Sequence, residues 1–248
     1  MDNKRKTKKQ LIGELEDWQR KFSELRRRVA NIAHDLKSPI VCTVGFSIRL
    51  NRKLKNLTPE DSKTLKQLVK NARLVEEIAR TLEDLTTIGE SPLKIVRFDI
   101  QEVFDSIRAT FFDDLKTKNI ALILPERSIP IDADRVRIIR VFNNFFSNAF
   151  KYGGKQMTRI IAECKSSGKY WVFSVSNNGK GLSEEDCKRI FDPYTRHEEN
   201  CEGVEGSGIG LSIVRRIAEK HGGYAWAVPG KRRGMTFFFK ILKNPPTA

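Results

Sequence analysis

Arg159-Ile-Ile-Ala-Glu-Cys-Lys165 and Tyr170-Trp-Val-Phe-Ser-Val-Ser176 are two runs rich in β-branched and aromatic residues, joined by Ser166-Ser-Gly-Lys169. A short polar connection containing glycine between two such runs is a β-hairpin signal, so the two strands are antiparallel and their sheet cannot be all parallel. Outward from the hairpin, further strands are expected at Leu93–Phe98, Ile120–Leu124, Tyr224–Val228 and Thr236–Leu242. Helices are expected at Ile100–Lys118, Asp134–Tyr152, Ser183–Ile190 and Ile209–His221. Strands and helices in this order predict an α/β sandwich with a mixed sheet and helices on one of its faces. The sequence has no internal repeat of the length that marks a solenoid.

The first third of the chain reads differently. Leu11, Leu15, Trp18, Phe22, Leu25, Val29, Ile32 and Leu36 are spaced in alternating steps of four and three, a heptad seam. Charged residues fill most positions between them, so a lone helix would leave an apolar stripe in water and pairing is expected. Pro39 removes one backbone hydrogen bond and should kink the helix without ending it. Asn56-Leu57-Thr58-Pro59-Glu60-Asp61 reads as a turn into a new helix, with Thr58 as N-cap and Pro59 at the first helical position. Leu65, Leu68, Ala72, Val75, Ala79 and Leu82 repeat the alternation. Two such helices form a hairpin, and two hairpins from two chains close a four-helix bundle. Gly89-Glu-Ser-Pro92 is a linker. The overall class is therefore α+β, in three parts: a coiled-coil segment over 1–28, a helical hairpin domain over 29–91 and the sandwich over 92–248.

The chain has 248 residues, 39% of them hydrophobic, with 46 Lys and Arg against 31 Asp and Glu. That is enough apolar content for a core and excludes a charge-dominated disordered chain. No apolar run has the roughly 18 to 20 residues of a membrane span, and the start lacks the apolar core of a secretory signal. The excess positive charge is interleaved with acids along the chain, which reads as a solvated basic surface and not as a nucleic-acid footprint. Cys42, Cys164, Cys187 and Cys201 lie far apart, with neither zinc-site spacing nor a disulfide framework.

Four constellations carry chemistry. In Ala33-His34-Asp35-Leu36-Lys37-Ser38-Pro39, seam residues Ile32 and Leu36 put His34 on the outward face. With an ordinary pKa of about 6.5, a neutral imidazole can act as a nucleophile, and Asp35 can stabilise the imidazolium that develops. Asn144, Asn148 and Lys151 share one helical face, offering hard amide oxygens suited to Mg²⁺ and an ammonium suited to phosphate. Asn177-Asn178-Gly179-Lys180-Gly181 follows a strand, and Gly206-Ser207-Gly208-Ile209-Gly210-Leu211 opens a helix, so backbone N–H groups in both can approach a polyphosphate. Neither stretch has Walker spacing, and the second comes too late for an opening dinucleotide unit.

In their order, and over nearly the whole chain, these segments resemble the sensor histidine kinases of two-component signalling. Ala33–Pro39 is similar to the phosphoacceptor box, Asn144–Tyr152 to the asparagine box, Val175–Leu182 and Gly206–Val214 to the two glycine boxes, and Ile190–Tyr194 to the phenylalanine box. The resemblance implies a dimerisation and phosphotransfer hairpin followed by a Bergerat-type ATP-binding domain, with about 195–207 as a lid. It further implies ATP-dependent phosphorylation of His34, polarised by Asp35, and transfer to an aspartate of a response regulator receiver domain. Asn148 would hold Mg²⁺. Asn144, Lys151, Tyr152, Gly179, Gly181, Gly206, Gly208, Ile209, Gly210 and Leu211 would line the ATP site. Asn177 would face the base and Arg196 the γ-phosphate, while His197 and His221 read as lid and surface residues.

Three positions depart from the family pattern. Asn177 stands where an aspartate usually contacts the adenine amino group, Asp35 replaces the commoner glutamate, and Ser38 replaces the Thr or Asn that the family uses for phosphatase activity. Input is expected from an upstream sensor domain or a separate protein acting through the coiled coil, in a cytoplasmic homodimer with no transmembrane segment in this chain. The rival readings are a nucleotide-binding dimeric module with weak or no kinase activity and a gyrase-like ATPase acting on DNA.

Overall fold

The computed structural model describes residues 8–53, 58, 60–65, 67–69, 71–72, 75, 79, 92–192, 195 and 209–246. The chain divides into two compact units, Met1–Glu90 and Ser91–Ala248.

In the first unit, α1 (Lys8–Lys53) runs through Pro39. Proline deprives one carbonyl of its partner, and two hydroxyls attach side chains to the ladder just beyond it. Thr43 Oγ1 donates to the Pro39 carbonyl at 2.8 Å and Ser47 Oγ to the Thr43 carbonyl at 2.7 Å. The expected N-cap forms: the Asp61 N–H donates to Thr58 Oγ1 at 3.1 Å while the Thr58 hydroxyl donates to the Asp61 carboxylate. Residues 60–65 are helical after it. Thr43 of α1 shares an open groove of about 790 Å³ with Glu60, Leu68 and Val75, so the second helical stretch runs beside α1. The seam residues Leu15, Trp18, Phe22, Leu25, Ile32 and Leu36 are all exposed, Trp18 to 71%.

The second unit contains β1 (Ile95–Asp99), α2 (Ile100–Thr110), α3 (Phe112–Thr117), β2 (Ala121–Ile123), β3 (Pro130–Asp134), α4 (Arg135–Tyr152), β4 (Arg159–Ser167), β5 (Tyr170–Asn177), α5 (Glu184–Arg189), α6 (Gly210–Lys220), β6 (Tyr224–Pro229) and β7 (Met235–Leu242). The main sheet has the order β2-β4-β5-β7-β6. β2 is parallel to β4 and the other neighbours are antiparallel, so the sheet is mixed. Two expectations are corrected. The helix expected over 100–118 breaks at Phe111, whose ring stacks on Phe146 and Phe150 at centroid distances of 5.6 and 5.2 Å, where a continuous helix would carry it past α4. An additional strand, β3, pairs with β1; Pro130 sits at its first position, one of the few places a strand tolerates proline.

The core is aromatic. On β7, Met235, Phe237, Phe239 and Ile241 are buried, and the residues between them are only half-buried. The buried row meets α4: Phe142 packs edge-on against Phe173 (5.9 Å) and Phe239 (5.5 Å), and Phe145 stacks on Phe237 (5.2 Å). α2 closes the far side of α4 through Phe104, 5.2 Å from Phe142.

His221, expected at the surface, is fully buried. Its Nδ1 faces the Ile217 carbonyl at 2.7 Å, and its Nε2 accepts the Asp134 N–H at 3.2 Å. That arrangement needs the neutral ring with its proton on Nδ1. Asp134 in turn caps α4 by accepting the Arg137 N–H at 3.1 Å, and its other oxygen accepts the Lys94 N–H at 3.1 Å. Burial, only partly offset by the Ile217 carbonyl and Asp134, holds the His221 pKa below its ordinary value. The unfolded chain therefore binds the extra proton, and stability that is intact above pH about 6.5 is lost as pH falls through and below that value, by at most about 1.4 kcal/mol per pH unit. Thermal unfolding at pH 7.5, 6.5 and 5.5 should show a steeper loss for wild type than for His221→Gln, which keeps an acceptor and cannot titrate. Parallel pH slopes would refute this role.

Candidate functional site

Because α4 spends Phe142, Phe145, Phe146 and Ala149 on the core, its next face carries Asn144, Asn148 and Lys151, all half-buried, and ends at Tyr152. Asn144 Nδ2 donates to the Arg140 carbonyl at 2.9 Å, which turns Oδ1 outward. That oxygen abuts the start of α6: a Cβ on Gly210 would lie 2.4 Å from it. The neighbours of Gly210 are Ile209, which is buried, and Leu211, which is half-buried. Ile209, at the N-cap position of α6, makes no side-chain cap, so among the described residues the first N–H groups of the helix are offered to an anion beside the α4 amides.

The loop after β5 is pinned to the end of α4. The Lys180 N–H donates to the Gly153 carbonyl at 2.8 Å, and a Cβ on Gly179 would lie 2.1 Å from that oxygen, so only glycine allows the two backbones to meet. A Cβ on Gly181 would lie 2.8 Å from the Gly234 carbonyl. Asn178 fastens the loop from the other side: its Oδ1 accepts the N–H groups of Thr158 and Arg159 at 3.0 and 3.1 Å. The Asn177 Oδ1 accepts the Gly179 N–H at 3.0 Å. By strand alternation Asn177 lies on the same sheet face as Phe173 and Val175, the face α4 covers. Lys155, Lys180, Arg232 and Arg233 line a cleft of about 490 Å³ beside this loop, a positive rim that attracts anions.

The structure thus brings together Asn144, Asn148, Lys151, Tyr152, Asn177, Gly179, Gly181, Ile209, Gly210 and Leu211. Arg196, Gly206 and Gly208, and the side chains of His34 and Ser38, lie outside the described residues; Asp35 is exposed on α1. Two groups went unassigned in the sequence. Gly153 anchors the glycine loop, which only the contact with Gly179 reveals. The Asp192 carboxylate pairs with Arg215 of α6 at 2.7 Å, tying the segment after α5 to α6, and its backbone carbonyl accepts the Thr195 N–H at 3.3 Å. Among the described residues no cluster of three or more His, Cys, Asp or Glu could hold a metal. The Asn148 amide oxygen is a hard donor of the kind that suits Mg²⁺ alongside phosphate oxygens and water.

The model of the histidine kinase-, DNA gyrase B- and HSP90-like ATPase matches residues 133–245. The chain is 28% identical over 232 residues to the methanogenesis regulatory histidine kinase FilI of Methanothrix harundinacea, covering 93% of this chain and 26% of that protein. In fold it is similar to full-length ShkA in complex with AMPPNP, with a TM-score of 0.67 at 21% identity, covering 90% of this chain and 47% of that one. It is also similar to histidine kinase ThkA in complex with the response regulator TrrA, with a TM-score of 0.63 at 24% identity, covering 94% and 66%. Residues 133–245 are thus an ATPase domain of the histidine kinase, gyrase B and HSP90 class. Together with the helical segment before it, the chain is similar in sequence to sensor histidine kinases over 93% of its length, and it spans about a quarter of the length of FilI.

The contact between Gly179 and Gly153 yields a test of the site's architecture. Gly179→Ala drives a methyl into backbone, so it should cost about 1–3 kcal/mol in thermal unfolding and speed hydrogen exchange at the Lys180 amide. An unchanged melting temperature with a protected Lys180 amide would contradict the contact.

Proposed function

We propose that the chain phosphorylates His34 with the γ-phosphoryl group of ATP and passes it to an aspartate on a separate response regulator in the cytoplasm. The observation that carries this reading is the convergence, on one side of the sheet, of the α4 amides and lysine with the pinned glycine loop and the start of α6. Donors so placed suit a polyphosphate, and phosphoryl transfer needs positioning and charge neutralisation more than covalent help from the protein.

In the proposed step an imidazole nitrogen of His34 attacks the γ-phosphorus. The bond from that phosphorus to the β–γ bridging oxygen breaks and ADP leaves. Asp35 stabilises the positive charge that develops on the ring and takes the proton the ring gives up. In the second step a receiver aspartate attacks the same phosphorus, the N–P bond breaks and the imidazole recovers a proton. Lys151 and the α6 N–H groups hold phosphate oxygens, with Arg196 and the Gly206–Gly208 turn joining them. Asn148 is assigned to Mg²⁺, which when bound neutralises phosphate charge. Asn177 faces the base, and Ser38, one turn after His34, keeps a hydroxyl that can orient a water for dephosphorylation.

With γ-labelled ATP, wild type should acquire acid-labile, alkali-stable label. His34→Gln should lose the label while keeping nucleotide affinity, and Asn148→Ala should lose it with about tenfold or more of that affinity, since a bond to a charged group is worth about 1.5–3 kcal/mol. Equal loss of binding in both variants would overturn this division of roles.

The exposed stripe from Leu15 to Leu36, together with exposed Leu68 and Val75 in the second helical stretch, supports a homodimer through the first unit, receiving input from an upstream sensor domain or partner protein. Wild type should scatter light as a dimer at micromolar concentration. Leu25→Asp, which buries an unpaired charge in the seam at a cost of about 3–5 kcal/mol, should be a monomer. A monomeric wild type would refute the dimer.

A further inference from the structure

The orientation of the Asn177 amide decides which kind of base the site reads. Its Oδ1 is engaged by the Gly179 N–H at 3.0 Å, and because a backbone N–H can only donate, the oxygen must be the end that faces it. Nδ2 is the end left over, and it makes no hydrogen bond among the described residues. Across the ladder Asn177 pairs with Met235, which is buried and has no hydrogen-bonding side-chain group to offer a base. The Gly234 backbone packs too closely against the Asn177 carbonyl for a Cβ, so the strand end has little room to turn the amide by moving its own backbone. The strand end therefore offers a base one directional side-chain group, an NH₂ donor, on the side that α4 covers.

We propose that this site favours nucleoside triphosphates whose base carries a carbonyl at the edge facing Asn177, the 6-oxopurines, over adenine. The proposal rests on the reading of Asn177 as the residue that faces the base. A 6-oxo group accepts from Nδ2; the adenine 6-amino group brings its own hydrogens against those of Nδ2. The triphosphate contacts are common to both, so ATP still binds and still phosphorylates. One neutral hydrogen bond is worth about 0.5–1.5 kcal/mol net, which puts the preference at roughly threefold to tenfold. A carboxylate at this position would keep the bond to Gly179 and present an acceptor in place of the donor, inverting the preference without disturbing the loop.

Isothermal titration of the full chain with ATP, GTP and ITP in the presence of Mg²⁺ tests this, and ITP separates the 6-position from the 2-amino group of guanine. Wild type should bind ITP and GTP about threefold to tenfold more tightly than ATP. Asn177→Asp, with an unchanged melting temperature, should bind ATP more tightly than either. Tighter ATP binding by wild type, or the same ATP-to-ITP ratio in both proteins, overturns the proposal and leaves the nucleotide site standing. Failure of all three triphosphates to bind overturns the nucleotide reading itself, and the base preference with it.

Discussion

The packing of Phe142 and Phe145 of α4 onto Phe173, Phe237 and Phe239 fixes where the polar groups of the site can stand. Burying each such ring is worth about 1.5–3 kcal/mol, whereas exposed ion pairs contribute about 0–1 kcal/mol, so the rings set the rotation of the helix about its axis. A shift of one residue turns an α-helix by about 100°, which would carry Asn144 toward the sheet and a phenylalanine into water. The polar face of α4 is in this sense the remainder left after the core has been satisfied. Its alignment needs no strong contact of its own.

A second constraint acts through backbone alone. Gly179 meets Gly153, and Gly181 and Gly234 meet each other and the end of β5, at separations no Cβ could share. These backbone contacts join the end of α4 to the loop after β5. The core sets the rotation of the helix, and the glycines set the height of the loop above its end. Asn178 then holds the loop to the start of β4 with three hydrogen bonds, so the loop is fixed on both flanks before any ligand is present.

The hairpin of β4 and β5 and the cap at Thr58 were legible because each is written within a few residues. β3 was hidden by Pro130, which looks like a strand breaker until its partner Asp99 is known to lie at a strand end. The burial of His221 depends on Asp134, 87 residues away, and no local pattern marks it. The pairing of Asp192 with Arg215 is likewise non-local. For Asn177 the sequence leaves two orientations open, because an amide is donor at one end and acceptor at the other. The Gly179 N–H removes the choice, and it does so only because the loop has the height that Gly153 imposes.

The two units owe their stability to different sources. The second closes its own core, with Phe104, Phe142, Phe145, Phe146, Phe173 and Phe239 all fully buried, and needs no partner to complete it. The first leaves Leu15, Trp18, Phe22, Leu25, Ile32 and Leu36 uncovered along one helix. Apolar area on that scale is stabilised only when another surface covers it, so the order of the first unit is linked to association and therefore to protein concentration. That linkage does not reach the sandwich, whose aromatic core is complete at any concentration. A seam that opens or closes can thus change how α1 is held while the groups that meet the nucleotide stay where the core has put them. On the proposed reading, an input arriving through the helix would be free to act on His34 without first melting the nucleotide site.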